Sequence, residues 1–110
     1  MTGLSCGTPS LLAWPILRDG VDLFLSISDS YATEAMRSLF HPEGDDPQII
    51  SGESGGAGLA GLLGLLKAPE LREPRLRLRL DETSRALVYN TEGNTDPIVF
   101  DRTVGRVPDE

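Results

Sequence analysis

The chain is 110 residues long, which gives room for one small domain with a modest core. Its formal net charge of -7 at pH 7 argues against a nucleic-acid partner, and Cys6, the single cysteine, excludes an internal disulfide and a zinc cluster. No apolar run reaches the ~20 residues of a membrane span and the first residues lack a signal-peptide pattern, so we expect a cytoplasmic protein with no membrane partner.

The first half of the chain alternates segments typical of strands with segments typical of helices. Residues 3–6 favour a short extended entry, and residues 10–20 favour a helix that begins at a serine cap. Residues 21–27 are a near-continuous apolar run, which predicts a strand covered on both faces. Residues 30–40 carry an apolar stripe at helical spacing, and residues 48–50 favour a short strand that leads into a glycine-rich turn.

The second half continues this alternation after the glycine turn. Residues 55–67 predict a helix whose small side chains permit close packing on a sheet. Residues 68–85 are ambiguous: a helix broken by proline is favoured, and alternating arginine and leucine leaves a strand as the alternative. Residues 86–90 predict a buried strand, and residues 96–104 predict a helix with an aspartate cap and a proline at its first position.

Strands that alternate with helices predict the class of fold. We expect one domain over residues 1–110, an α/β fragment of three layers with a short, mostly parallel sheet flanked by helices. Residues 106–110 are predicted to be a frayed tail. A glycine turn ahead of a helix places backbone N–H groups beside a ligand, so the second half is expected to face a small molecule.

One glycine motif predicts a nucleotide ligand, but weakly. Residues 56–61 match the G-x-G-x-x-G spacing of dinucleotide-binding turns. Asp81 lies ~20 residues further on, where a ribose-binding acid is expected. The strand ahead of the turn is short, however, and Pro69 and Pro74 interrupt the unit before Asp81. A dinucleotide-binding unit is therefore the weaker alternative.

Four segments carry a resemblance to a known family, and together they cover nearly the whole chain. They are Gly3-Leu4-Ser5-Cys6-Gly7, residues 22–27 with the helix ending Met36-Arg37, Ser51-Gly52-Glu53-Ser54-Gly55, and residues 91–97. In this order they resemble the C-terminal part of the diaminopropionate ammonia-lyase family. That family belongs to the fold-type II pyridoxal-phosphate enzymes, the tryptophan synthase β-like group. The resemblance implies a large domain of that fold and the elimination of ammonia from an amino acid such as 2,3-diaminopropionate.

The resemblance also implies three cofactor-binding residues. Thr91 matches the hydroxyl residue that these enzymes place beside the pyridine nitrogen of the cofactor. Glu53 matches an acidic residue near the cofactor pocket, and Gly3 matches a glycine whose backbone approaches the cofactor ring. A hydroxyl at the Thr91 position hydrogen-bonds an aromatic nitrogen without forcing its protonation.

The family's catalytic equipment has no match in this sequence. The Schiff-base lysine and the glycine loop that grips the cofactor phosphate lie in a part of the family that this chain lacks. Lys67, the one lysine, has no serine-lysine motif around it. We therefore expect no catalytic residue, no metal site, no bound cofactor and no activity from the chain alone. Its expected partner is a missing N-terminal half or a second copy of the chain, and the alternative function is a non-catalytic assembly module.

Overall fold

The computed structural model describes residues 1–106 of the chain. Within them the chain forms five α-helices: α1 (Trp14–Gly20), α2 (Asp29–Phe40), α3 (Ala57–Lys67), α4 (Arg72–Arg77) and α5 (Pro97–Val104). Two short 3₁₀ helices, Thr2–Leu4 and Pro69–Leu71, complete the regular structure of these residues. The frayed tail predicted for residues 106–110 lies, beyond Arg106, outside the described residues. None of the helices described is long and apolar enough to cross a membrane.

The predicted α/β fold with a parallel sheet is wrong, because residues 1–106 contain helices and no strand. The segments predicted as strands at residues 21–27, 48–50 and 86–90 lie outside the helices but do not pair into a ladder. One backbone hydrogen bond joins the residues that follow two of these segments, from the Gly52 N–H to the Glu92 carbonyl at 3.0 Å. A sheet needs such bonds repeated along both chains. The apolar composition of these segments thus indicates a local extended conformation, whereas a strand also requires a partner.

The helix α2 begins and packs as its sequence predicts. The Ser28 hydroxyl accepts a hydrogen bond from the Ser30 N–H at 3.3 Å and so satisfies one of the free donors of the first turn. The apolar stripe places Ala32, Ala35 and Met36 on the buried face. This face is the surface against which the two other main helices pack.

The helix α3 approaches α2 closely because its inner face is built from small residues. Ala60 is fully buried and clusters with Ala32 and Ala35. A Cβ at Gly64 would lie 2.8 Å from the Cγ2 atom of Ile27, just ahead of α2, and 3.5 Å from the Cδ2 atom of Tyr31 on α2, so glycine permits this close approach. The packing of α2 on α3 therefore depends on the absence of side-chain volume.

The helix α5 closes a second cluster against the other end of α2. Its cap is Asp96, whose carboxylate accepts from the Val99 N–H at 3.1 Å, and it ends at Gly105 with a left-handed φ of 75°. Phe100 meets Phe40 edge to face, with ring centroids 5.4 Å apart. Met36 lies in the same cluster, so α2 connects the two cores.

The ambiguous segment between α3 and the last extended stretch is a broken helix, as favoured from the sequence. Pro74 occupies the first turn of α4, where a missing N–H costs little. The Arg75 guanidinium donates to the carbonyls of Leu66 at 2.7 Å and Leu65 at 3.2 Å. These are carbonyls of the last turn of α3, so Arg75 fastens α4 to the C-terminal end of that helix.

Candidate functional site

The N-terminal 3₁₀ helix is fastened to the glycine-rich turn by two hydrogen bonds. The Gly3 N–H donates to the Glu53 carboxylate, and the Ser54 hydroxyl donates to the Gly3 carbonyl at 2.7 Å. Glu53 is only 9% exposed. Residues fifty positions apart in sequence therefore meet here, and two of the three predicted site residues are in direct contact.

The segment that follows the last predicted strand completes the site from a third part of the chain. The Glu92 carboxylate accepts from the Thr95 hydroxyl and from the Ser54 N–H at 3.1 Å. The Thr95 hydroxyl above all, with further donors at Ser54 and Gly55, holds the pKa of Glu92 below its usual value. Glu92 is therefore an anion over the physiological pH range, and it links the glycine turn to the loop before α5.

Asn90 holds the same two segments together from the other side of the turn. Its amide nitrogen donates to the Ile50 carbonyl at 3.2 Å, and the fully buried Ser51 hydroxyl donates to its carbonyl oxygen at 3.1 Å. The chains are so close that a Cβ at Gly55 would lie 2.2 Å from the Asn90 side chain and 2.3 Å from the Glu92 carbonyl. The glycine is required by this close approach.

The contacts of Gly3, Glu53 and Glu92 border a hollow of about 340 Å³. Gly3 and Glu53 line it, together with Glu92 and Thr95, and Met36 and Phe100 form its apolar floor. Thr91 is not among the lining residues and is exposed to solvent. The structure thus brings together two of the three predicted residues, and the cofactor roles of all three stay a prediction.

Sequence reasoning missed Asn90 and Glu92, although a signal for both was present. The prediction selected Thr91 as the polar residue at the carboxyl end of a strand. Residues before and after it point to the opposite side of an extended chain. This alternation of side chains along an extended chain therefore indicates that Asn90 and Glu92 face one way and Thr91 the other. A carboxylate and an amide on one face, next to a glycine turn, were the better candidates for contact with that turn.

The side-chain charges around the hollow are of one sign. Its lining contains the carboxylates of Glu53, Glu92 and Asp96 and no lysine or arginine among the described residues. Lys67 pairs instead with Glu34 at the far end of α3, about 15 Å along the helix axis from its first residue. These residues do not fit the phosphate of pyridoxal phosphate, which needs donors and positive charge. Within residues 1–106 there is also no cluster of side chains that fits a metal ion.

The residues of the dinucleotide motif have neighbours within the chain itself. A Cβ at Gly58 would lie 3.4 Å from the Val88 Cβ atom. The extended residues 86–90 therefore run along the start of α3. The Asp81 carboxylate accepts from the Thr83 N–H at 2.8 Å and from the Thr83 hydroxyl at 2.7 Å. These bonds, the hydroxyl first, lower the pKa of Asp81. Its Oδ1 atom is engaged within its own turn, and Asp81 is not among the residues that line the hollow.

Comparison with known proteins places this fold inside a longer one. The chain is 45% identical over 96 residues to the diaminopropionate ammonia-lyase of Escherichia coli (strain K12), a match that covers 87% of this chain and 24% of that protein. The Salmonella typhimurium (strain LT2) lyase is 38% identical over 105 residues, or 94% of this chain and 26% of that protein. No family model matches the chain.

A solved structure gives the same result for the fold. The crystal structure of the Escherichia coli lyase in complex with an aminoacrylate-PLP azomethine reaction intermediate superposes with a TM-score of 0.82 at 42% identity. The superposition covers 94% of this chain and 27% of that one. The chain thus spans about a quarter of the length of the relatives it matches. The resemblance predicted from its sequence is confirmed.

Proposed function

We propose that this chain, which resembles the C-terminal part of diaminopropionate ammonia-lyase, supplies one wall of a pyridoxal-phosphate-dependent ammonia-lyase site. The complete site would act on an amino acid such as 2,3-diaminopropionate. The chain alone would not be catalytic. The observation that carries the proposal is the hollow, because it joins the matched segments at Gly3, Glu53 and Glu92 through direct hydrogen bonds.

The proposed role of this wall is to shape and orient. The buried Glu53 carboxylate fixes the Gly3 backbone, and Ser54 fixes it from the carbonyl side. Thr91, exposed beside the glycine-rich turn, offers a hydroxyl to an aromatic nitrogen once a further layer covers it. Pyridoxal phosphate, when bound, supplies the electron sink for elimination.

The remaining parts of the proposed site are not among the residues that line the hollow. Phosphate binding needs a cationic or N–H-rich cradle, whereas the lining described here carries three carboxylates. Lys67 is engaged with Glu34 and is remote from the hollow. Both the covalent anchor and the phosphate grip are therefore assigned to another polypeptide segment.

Titration with pyridoxal phosphate tests this proposal. We expect the purified chain to give no saturable absorbance change, no borohydride-trapped adduct at Lys67 and no ammonia from 2,3-diaminopropionate. Lys67→Gln is the matched control, because it removes the one lysine of the chain, which lies outside the hollow. Ammonia release by the chain alone that the control abolishes would contradict the assignment of the anchor to another segment.

The second candidate function is a non-catalytic assembly module. One observation favours it: large apolar side chains such as Leu12, Ile16 and Leu87 are between 74% and 87% exposed. Surfaces of this kind mark association. Light scattering at dilute concentration tests whether the chain self-associates, and a clean monomer would count against self-association.

A further inference from the structure

Thr91 takes no part in the hydrogen bonds that hold the fold together. Within residues 1–106, neither its peptide groups nor its hydroxyl bonds to another part of the protein, and the residue is exposed. The place of such a residue is set by its two neighbours along the chain, since planar peptide units of fixed length join them. The contacts of Asn90 and Glu92 therefore decide where the Thr91 hydroxyl lies.

Asn90 fixes the chain on one side of Thr91. Its amide nitrogen donates to the Ile50 carbonyl at 3.2 Å, and its amide oxygen accepts from the Ser51 hydroxyl at 3.1 Å. Ser51 is fully buried, so this anchor belongs to the packed interior. Both polar ends of the Asn90 side chain are thus engaged, and an aliphatic side chain cannot replace either bond.

Glu92 fixes the chain on the other side, through its side chain and its backbone together. The carboxylate accepts from the Ser54 N–H at 3.1 Å and from the Thr95 hydroxyl. The Glu92 carbonyl accepts from the Gly52 N–H at 3.0 Å. These bonds join Glu92 both to the glycine-rich turn and to the loop before α5, and they leave it little freedom to move.

The glycines of the turn make room for these two side chains. A Cβ at Gly52 would lie 2.5 Å from the Glu92 Oε1 atom, and a Cβ at Gly55 would lie 2.2 Å from the Asn90 Oδ1 atom. The turn continues directly into α3, whose cap residue is Gly56. The two neighbours of Thr91 are therefore seated against the start of a helix that packs on α2.

This arrangement leaves the Thr91 hydroxyl few positions. Side chains alternate along an extended chain, so with both neighbours directed at the turn Thr91 is directed away from it. Rotation about its Cα–Cβ bond is the main freedom that remains, and a β-branched side chain is restricted there too. A hydroxyl hydrogen-bonds a nitrogen atom at about 2.7–3.2 Å, so a shift of ~1 Å is enough to lose the bond.

We propose that Asn90 and Glu92 are positioning residues for the Thr91 hydroxyl, which they hold at a fixed place for a hydrogen bond to the ring nitrogen of the cofactor in the complete site. The inference rests on the proposed function, which gives Thr91 that ligand. It adds two residues that act through a third. If Asn90 and Glu92 served stability alone, their effect on the cofactor would not depend on Thr91.

Nuclear magnetic resonance relaxation of the backbone amides tests the positioning in the full chain. We expect an order parameter of about 0.85 for the Thr91 amide, and a value below about 0.6 in Glu92→Ala. Glu92→Gln is expected to restore it, because a glutamine still accepts from the Ser54 N–H and donates to the Thr95 hydroxyl. Glu82→Ala, at an exposed glutamate outside this site, is the matched control and is expected to change nothing.

Two further variants complete this measurement. Asn90→Ala is the corresponding change on the other side of Thr91, and it is expected to lower the same order parameter. Thr95→Val is the milder second variant should Glu92→Ala fail to fold, because it removes one bond to the same carboxylate. A Thr91 amide that stays rigid in the Asn90 variant, or in the Glu92 and Thr95 variants, would overturn the proposal.

The Escherichia coli diaminopropionate ammonia-lyase separates this inference from the function on which it rests. Valine at the position that aligns with Thr91 and alanine at the position that aligns with Glu92 are introduced singly and together into the holoenzyme. We expect each single change to shift the absorbance of the bound cofactor and to lower kcat about tenfold. The double variant is expected to match the valine variant, because the glutamate position acts through the threonine position.

The outcomes of this second experiment are distinct. A valine variant with the absorbance and kcat of the parent would refute the cofactor role of Thr91, whereas the order parameters of the chain would still decide whether Asn90 and Glu92 position it. An effect of valine without an effect of alanine would overturn the positioning role and leave the proposed function standing. A further loss in the double variant would also overturn it, since the glutamate position would then act by another route.

Discussion

The packed body formed by α2, α3 and α5 differs sharply from the unpaired segments that run beside it. In the body, Ala35 and Ala60 are fully buried, and helix backbones satisfy their own hydrogen bonds. Beside it, Leu87 is 79% exposed and its peptide groups have no backbone partner. Both regions are apolar in sequence. The difference shows that a helix forms from its own residues, whereas a strand depends on what lies next to it.

The largest expected effect on stability comes from a cavity in the core between α2 and α5. Phe100→Ala removes an aromatic ring from the cluster with Met36 and Phe40, so we expect a loss of about 3–5 kcal/mol in the free energy of unfolding. Leu87→Ala is the control from the unpaired region, and its expected change is within about 0.5 kcal/mol. Urea unfolding of both variants measures the contrast. Equal losses would mean that the unpaired segment is as well packed as the body.

A smaller effect is expected where the two regions touch. Gly55→Ala places a Cβ 2.2 Å from the Asn90 Oδ1 atom and against the Glu92 carbonyl, so the turn must move. We expect a loss of about 1–3 kcal/mol in the free energy of unfolding. Gly93→Ala is the control, because nothing lies within 4 Å of a Cβ at that position. If unfolding in urea gives both variants the stability of the parent, the close approach at Gly55 does not exist.

The cap of α5 provides a more modest test of how locally the body is encoded. Asp96→Ala removes the acceptor for the Val99 N–H, and we expect a loss of about 1 kcal/mol. Asp96→Asn keeps an acceptor oxygen and is expected to recover most of that loss. Thermal unfolding of the pair measures the difference. A larger loss for the asparagine variant than for alanine would contradict a capping role.

The smallest effect is expected from pH, through Glu92. Hydrogen bonds from Thr95 first, and then from Ser54 and Gly55, hold its folded pKa below the unfolded value of about 4.3. A carboxylate with a lowered pKa stabilises the fold above its unfolded pKa, and this contribution is lost as the pH falls through the folded pKa. Glu92→Gln is therefore expected to be slightly less stable than the parent at pH 7, with the difference vanishing in acid. A difference that grows on acidification would show the opposite sign.

Prediction from the sequence succeeded where the signal was local. The helices α2 and α5 were expected near their observed bounds, because Ser28 and the Asp96-Pro97 pair mark their starts and their apolar stripes mark their faces. The predicted sheet was wrong, because residues 21–27 and 86–90 have the composition of strands but no pairing partner among the described residues. The resemblance to the lyase family was found from four motifs that occur in the family's order. The matching part makes up about a quarter of the relatives' length.

The sequence by itself determined the helices α2 and α5, their caps and the family that the chain resembles, since these depend on residues near one another along the chain. Only the tertiary structure decided that Gly3, Glu53 and Glu92 share one hollow and that Thr91 faces solvent. Contacts across fifty residues depend on how the helices pack and on which glycines admit a neighbouring backbone. No local pattern fixes that geometry, because it is set by the space that remains once α2, α3 and α5 have come together.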